Sequence, residues 1–325
     1  MGGTPKACHF CIQMLQLNTL IIVSSIFLIE KVVKFMGDYI EYDGKTIKIM
    51  TCSNCNMKCK QCYVAYTGNF ESEKLFQVVG LLKSKYEILL NGTEPLINNY
   101  LDSFKISDEK FILTNGLVFK NNLNLVNDIK NAGINRICMS YQYEIQKDID
   151  SVSLSYLDEI FPKIRDMGID VEMMCTITSK NYNLLDEICE KAIKLKANYL
   201  YLLEYMYQGN AQSKMSGDLR LTDQMREKFF EDLKKVREKY DKDKLYIYRS
   251  GNMGDDNINH KKVVCGAGID MVTMTPDYKI YPCNLLIDER FCIGYFDGEK
   301  VYIDKDKRDE VCGNINSCLW TKYKN

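Results

Sequence analysis

From Thr46 to Tyr207 the chain alternates strand-like and helix-like runs six times, and this alternation narrows the possible folds more than any other feature. Thr46–Met50, Tyr86–Leu90, Phe111–Leu113, Asn135–Ser140, Ile169–Thr178 and Tyr199–Tyr207 read as strands. Helical spacing marks Ser72–Lys83, Leu123–Ala132, Leu154–Met167 and Asn183–Lys196, with Gly168 ending the third of these. Strands followed by mostly helical connections predict an α/β fold with parallel strands, and right-handed crossovers curve such a series toward a barrel. Only six units of roughly 30 residues fit before the pattern changes, short of a complete eightfold barrel.

Beyond Gly209-Asn210-Ala211 the sequence changes character. A charged amphipathic helix spans Thr222–Tyr240, Leu245–Tyr248 reads as a short strand, and Gly251–Lys262 is a polar loop. Met271–Thr275 and Lys279–Tyr281 form a hairpin turned at Pro276-Asp277. The expected division is an N-terminal extension (1–40), the barrel (41–220), a linker helix and loop (221–262) and a small C-terminal domain (263–325). Alternation places Asp170, Glu172, Met174, Thr176 and Thr178 on one strand face. Parallel strands are normally covered on both sides, so polar residues there suit a barrel interior that holds a ligand. Tyr199, Tyr201, Tyr205 and Tyr207 share a face of the sixth strand and are expected to pack under helices.

The extension is apolar from Ile12 to Ile29 but interrupted by Gln13, Gln16, Asn18, Ser24 and Ser25. A spanning helix wants about 20 mostly apolar residues, so a membrane anchor is a poor fit. A docking helix is a second option; sequence translated ahead of a start at Met36 is the favoured one. Cys8 and Cys11 in this segment are given no role.

Cysteine is the compositional anomaly, with 14 in a chain of 325 residues that is large enough to build a core without disulfide staples. Four lie within Cys52–Cys62 and five follow Val264, so they cluster as metal ligands do. The formal net charge of −1 gives no general attraction to nucleic acid or anionic membrane. Cys55, Cys59 and Cys62, spaced Cys-x3-Cys-x2-Cys, follow the first strand directly, where barrel enzymes place active-site loops. Three thiolates on a four-iron cube leave one iron open. With Cys52 as a fourth ligand, a zinc site is the alternative.

This triad, led in by Met50-Thr51, resembles the signature of the radical S-adenosylmethionine (SAM) superfamily. Further motifs follow in order. Asn91-Gly92-Thr93-Glu94-Pro95 is similar to the Gly-Gly-Glu-Pro segment that holds the SAM amino group, and Thr114-Asn115-Gly116 to the Thr-Asn-Gly closing the third strand. Ser140 stands where a serine contacts SAM, and Gly209-Asn210-Ala211 resembles the Gly-Arg-Ala closing the sixth strand. Gln61 and Thr93 depart from the pattern, replacing an aromatic residue and a glycine. A hydroxyl is tolerated at Thr93 if the backbone there is not left-handed.

The resemblance implies a partial (β/α)6 TIM-like barrel. It implies a [4Fe-4S] cluster on Cys55, Cys59 and Cys62, whose open iron chelates SAM. Reductive cleavage of SAM then gives a 5′-deoxyadenosyl radical that abstracts hydrogen from substrate. Glu94 is expected to bind the SAM ammonium, with Tyr63, Gly92, Thr93, Asn115, Ser140, Glu172 and Glu204 contributing to the cofactor site. The tail resembles the SPASM and twitch auxiliary-cluster domains, which implies one auxiliary [4Fe-4S] cluster on Cys265, Cys283, Cys312 and Cys318. Asp309 and Lys322 stand where the full SPASM pattern would place two more cysteines.

Ile293-Gly294 resembles a landmark of such tails that leaves Cys292 off the ligand list and a candidate hydrogen-atom donor, against the plainer reading of a buried thiol. Asn284 occupies the position of a catalytic aspartate in sulfatase-maturing relatives and has no basic group at neutral pH, which argues against that activity. The expectation is a maturase that crosslinks or epimerises a ribosomally made peptide, with a small-molecule dehydrogenase as the alternative and a noncatalytic iron–sulfur binding protein as a more distant one. Expected partners are a leader-bearing precursor peptide and an electron donor such as flavodoxin or ferredoxin, in a reducing cytoplasm.

Overall fold

The computed structural model describes residues 39–59, 61–143, 155–212, 219–240, 243–250, 265–313 and 318–323. The apolar segment 12–29, Cys8, Cys11 and the 251–262 loop lie outside them. A first strand, β1 (Tyr39–Glu41), precedes the alternating series of β2 (Thr46–Met50), β3 (Glu87–Asn91), β4 (Phe111–Thr114), β5 (Arg136–Ser140), β6 (Asp170–Ile177) and β7 (Tyr199–Glu204). These last six are the strands expected from the sequence. Two more strands extend the wall: β8 (Tyr246–Arg249) pairs parallel to β7, and β9 (Met271–Met274) pairs parallel to β2.

The barrel is thus two parallel arcs, β9-β2-β3 and β4-β5-β6-β7-β8. Hydrogen bonds from Asp108, just before β4, reach back to β3 across the seam. Asp108 accepts from Ile88 N through Oδ2 and donates its own N–H to Ile88 O, both at 2.9 Å.

Helices cover the outside: α1 (Ser72–Leu82), α2 (Leu101–Ile106), α3 (Leu125–Asn131), α4 (Ser155–Asp166), α5 (Leu185–Lys194) and α6 (Asp223–Lys239). Their apolar stripes, such as Leu75 and Val79 of α1 and Leu157 and Phe161 of α4, share one core with Ile47, Ile49, Ile137, Met139, Val171 and Met173 of the strands. Each buried side chain of this size stabilises the fold by about 1.5–3 kcal/mol, so the outer strand faces secure the barrel and leave the inner faces free for polar residues.

The inner face carries the tyrosines, which corrects the expectation that they pack under helices. Ser140, Met174, Tyr201 and Tyr248 are Cα partners in one row across β5 to β8, and Ser140 and Met174 line the central cavity. Tyr201 stacks on Tyr248 with ring centroids 4.8 Å apart. Tyr207, by contrast, is exposed.

The tail continues the barrel sheet without a break at the expected domain boundary. β9 turns into β10 (Lys279–Tyr281), then β11 (Gly294–Phe296) and β12 (Val301–Asp304) follow in antiparallel order, and β1 closes against β12. Residues 39–41, at the edge of the expected N-terminal extension, therefore belong to the tail's sheet. Helices α7 (Lys305–Cys312) and α8 (Leu319–Tyr323) complete the tail.

Candidate active site

A cavity of about 1040 Å³, counted to its open mouth, sits at the C-terminal ends of the barrel strands. Ligand sites in parallel α/β folds lie at this end because the connecting loops converge there. Cys55, Cys59 and Cys62 all line it, together with Tyr63, Gly92, Thr93, Asn115, Ser140 and Glu204. Motifs spread over about 150 residues of sequence thus meet around one cavity.

Local hydrogen bonds explain how the cysteine loop reaches this position. Ser53 N and Asn54 N donate to Asn69 Oδ1 at 3.0 and 3.1 Å, and Phe70 N donates to Thr51 O at 3.0 Å, closing the loop at its base. Tyr66 OH donates to Cys52 O at 2.6 Å. Asn115 Nδ2 reaches Asn56 Oδ1 at 2.7 Å and Cys55 Sγ at 3.5 Å, tying the end of β4 to the first cysteine. The other end is fixed by Gly209, whose φ of 58° lies in the left-handed region. A Cβ there would stand 2.6 Å from Val64 O and 2.9 Å from the Tyr63 carbonyl, so the turn that follows β7 presses on the backbone just after Cys62.

Cys52 is fully buried behind this wall and does not line the cavity. Gly92 lies against it, because a Cβ at Gly92 would stand 2.5 Å from Thr51 Oγ1 and 2.9 Å from Cys52 Sγ. Among the described residues no three His, Cys, Asp or Glu side chains stand close enough to share one metal ion. Cys55, Cys59 and Cys62 line the cavity and Cys52 does not, so three cysteines are placed to hold a cluster there, which leaves one iron of a four-iron cube open.

Glu94 lies beneath the wall, fully buried. Its Oε1 accepts from Thr114 Oγ1 and its Oε2 from Asn115 N, both at 2.7 Å. Burial raises its carboxyl to about 7 despite these hydrogen bonds, which favour the charged form. Thr93 N donates to Cys52 O at 2.9 Å, and Thr93 is not among the residues with positive φ, so a side chain fits where the related motif has glycine.

Three of the expected residues lie off the cavity wall, the buried Glu94 among them. Glu172 faces the lumen one layer below Met174 and pairs with Arg136 at 3.0 Å, inside the barrel floor. Cys292 packs against the Met50, Tyr281 and Ile287 cluster, with its thiol 3.5 Å from Gly294 O. It too is absent from the cavity wall.

The four tail cysteines come together. The thiols of Cys265 and Cys318 hydrogen-bond one another, Cys283 lies within electrostatic reach of Cys265, and Cys312 within reach of both Cys265 and Cys283. Four cysteine thiolates are the ordinary ligand set of a four-iron cluster, and these donors fit one. Tyr63 links the two cysteine sets: it follows Cys62 in sequence, and its phenol, pushed upward by desolvation, lies close to Asn284 beside Cys283.

Sequence reasoning missed Arg226. It projects from α6 onto Glu204, its Nε donating to Oε2 at 3.4 Å and its Nη2 to Oε1. Gln61, named above for its departure from the related motif, carries a buried acceptor, Oε1, with no hydrogen-bond partner among the described residues.

No protein-family model matches the sequence, and no curated protein matches it. Solved structures do share its fold. Streptococcus suis SuiB superposes with a TM-score of 0.58 at 13% identity, covering 76% of this chain and 62% of SuiB. SuiB bound to the precursor peptide SuiA gives 0.58 at 12% identity, covering 76% and 61%. Native anSMEcpe with bound AdoMet and a Cp18Cys peptide gives 0.60 at 13% identity, covering 82% and 80%. The chain therefore spans a little over three-fifths of the length of SuiB.

Proposed function

We propose that the protein is a radical SAM enzyme that modifies a peptide. The observation that carries the reading is the convergence of Cys55, Cys59 and Cys62 with Gly92, Thr93, Asn115 and Ser140 on one cavity at the strand ends. Cys55, Cys59 and Cys62 would hold a [4Fe-4S] cluster, and Cys265, Cys283, Cys312 and Cys318 an auxiliary one. The first cluster supplies the electron that cleaves SAM and so makes hydrogen abstraction from an unreactive carbon possible.

The chain's own residues bind and orient. Glu94, in its ionised form, accepts the SAM ammonium, while Thr93 and Gly92 shape the backbone edge beside it. Ser140, Asn115 and Glu204 offer further polar contacts around the cavity. Met57, Met174, Leu203 and Met206 supply apolar lining that limits water near the reacting centre. A peptide substrate is supported by two shared-fold proteins whose structures hold peptides. A crosslinked or epimerised residue is the product class this reading favours, with flavodoxin or ferredoxin as the electron source.

The test is 5′-deoxyadenosine formation by the anaerobically reconstituted protein given SAM and a strong reductant. We expect formation in the native chain and none with Cys59→Ala. Iron bound and reduced with no product would overturn the reading.

A further inference from the structure

Two polar side chains inside the barrel lack hydrogen-bond partners among the described residues. Lys48 of β2 and Thr273 of β9 are Cα partners in a parallel pair, so their side chains leave the sheet on the same face. Their sequence neighbours Ile47, Ile49, Val272 and Met274 belong to the helix-covered core, which puts Lys48 and Thr273 on the inner face of the barrel. Thr273 is fully buried, and its Oγ1 has no partner. Lys48 makes neither a hydrogen bond nor an ion pair among the described residues. A buried hydroxyl without a partner is costly, and the cost is removed when a bound group supplies the missing bond.

The tail brings Cys283 to the same place. Thr273 pairs in turn with Tyr281 of β10, and Cys283 lies two residues further on. The register thus carries the face of Lys48 and Thr273 across to the segment that bears Cys283. Lys48 lies close to both Cys283 and Glu109. Glu109 is 4% exposed, and its Oε1 accepts from Lys110 N and Phe111 N at 3.0 and 3.3 Å. Its own backbone holds this carboxylate, which faces Lys48 without forming an ion pair with it.

The amine of Lys48 has only donors to offer, and the Thr273 hydroxyl has one to give. What completes them is an acceptor. The acceptor that Cys283 brings is sulfur, as its own thiolate and as the cluster it would share with Cys265, Cys312 and Cys318. A cluster on four thiolates is anionic and gains one more negative charge on one-electron reduction, so donors beside its sulfurs favour the reduced form. We propose that Lys48 and Thr273 are donors from the barrel interior to the auxiliary cluster and raise its reduction potential. The inference rests on the auxiliary-cluster reading above and adds the residues that set the cluster's potential. An amine donates N–H in either protonation state, so the contact does not depend on its charge.

The experiment is a redox titration, followed by electron paramagnetic resonance, of the anaerobically reconstituted Cys55→Ala/Cys59→Ala/Cys62→Ala chain, which keeps the tail cysteines and loses the loop set. Lys48→Met in that background is expected to shift the one-electron reduction equilibrium about tenfold toward the oxidised form, a fall of about 59 mV. Thr273→Val keeps the shape, loses the hydroxyl and should shift it the same way by about threefold. Lys48→Arg should keep most of the background value. Electron–nuclear double resonance after exchange into D2O adds a signature, an exchangeable-proton coupling to the reduced cluster that Lys48→Met lacks. Circular dichroism melts identify a Lys48→Met chain that fails to fold, and Thr273→Val then carries the test. An unchanged potential in folded Lys48→Met, or in Thr273→Val where Lys48→Met fails, would overturn the proposal and leave the auxiliary cluster in place. A background chain that binds no iron would remove the cluster reading and the proposal with it.

Discussion

Glu94 Oε2 accepts a 2.7 Å hydrogen bond from the backbone N–H of Asn115, the residue that follows β4. The bond crosses the seam between the two arcs of the barrel, where β3 and β4 exchange no strand pairing. One carboxylate thus joins the arcs and stands under the proposed ammonium site. Burial raises it to about 7, so its charge state changes near neutrality.

SAM binding should therefore weaken on acidification below pH 7, by about tenfold for each further pH unit, because the protonated carboxyl offers the ammonium no charge. The linkage to stability has the opposite sense. For a carboxyl raised in the fold, stability is full below the ordinary carboxylate range and is lost as pH rises through 7, by up to about 3 kcal/mol in the cofactor-free protein. Thermal melts of native and Glu94→Gln protein from pH 4.5 to 8 check this. Parallel pH curves for the two would contradict it.

Gly209→Ala should damage the site from a distance. The left-handed backbone alone costs a non-glycine residue about 1–2 kcal/mol, and the new Cβ would meet the carbonyls of Tyr63 and Val64. The segment after Cys62 would have to move, so iron uptake on reconstitution should fall along with the melting temperature. Native iron content in this variant would show that the contact relaxes without disturbing the cysteine loop.

The six strands, their order and the loop cysteines were legible because each depends on local pattern: period-2 runs, helical spacing, and short motifs at strand ends. Thr222–Tyr240 gave the helix from its amphipathic charge pattern, and the Thr222 cap confirms its start. What escaped depends on pairing over long separations. Met271–Thr275 reads as a hairpin arm, but nothing local says that Thr46 pairs with Met271. Alternation sorted Tyr201 from Leu202 without saying which face was the lumen. Only the partner row Ser140, Met174, Tyr201 decides that. Arg226 was missed because an ion pair between a strand end and a later helix leaves no spacing signal. Arg136 was within reach, since it lies two alternations below Ser140 on β5 and so shares the face of Glu172 across the pair Arg136–Asp170 and Cys138–Glu172.

The two cysteine sets should separate in the laboratory. Native protein is expected to hold about eight irons, and Cys59→Ala or Cys283→Ala about four each. Cys59→Ala should lose SAM cleavage, while Cys283→Ala should retain 5′-deoxyadenosine formation with modification of the peptide lost. Iron analysis with electron paramagnetic resonance distinguishes the two. Eight irons in Cys283→Ala would show that Cys283 is not a required ligand of the tail cluster.

The floor of the barrel offers a test that needs no cofactor. Glu172 is 3% exposed and its cationic partner is Arg136, which also lies over the Tyr199 ring at 4.5 Å. Tyr248 and Cys138 crowd the same carboxylate, and desolvation together with Glu172 pushes both of them upward. Arg136→Met leaves that charge buried without its cation and should cost about 3–5 kcal/mol in urea unfolding. Removing the carboxylate as well, in Arg136→Met/Glu172→Leu, should recover more than half of that loss, because the penalty lies in the stranded charge and not in the missing attraction. A double variant as unstable as the single one would mean that the guanidinium contributes through its packing on Tyr199.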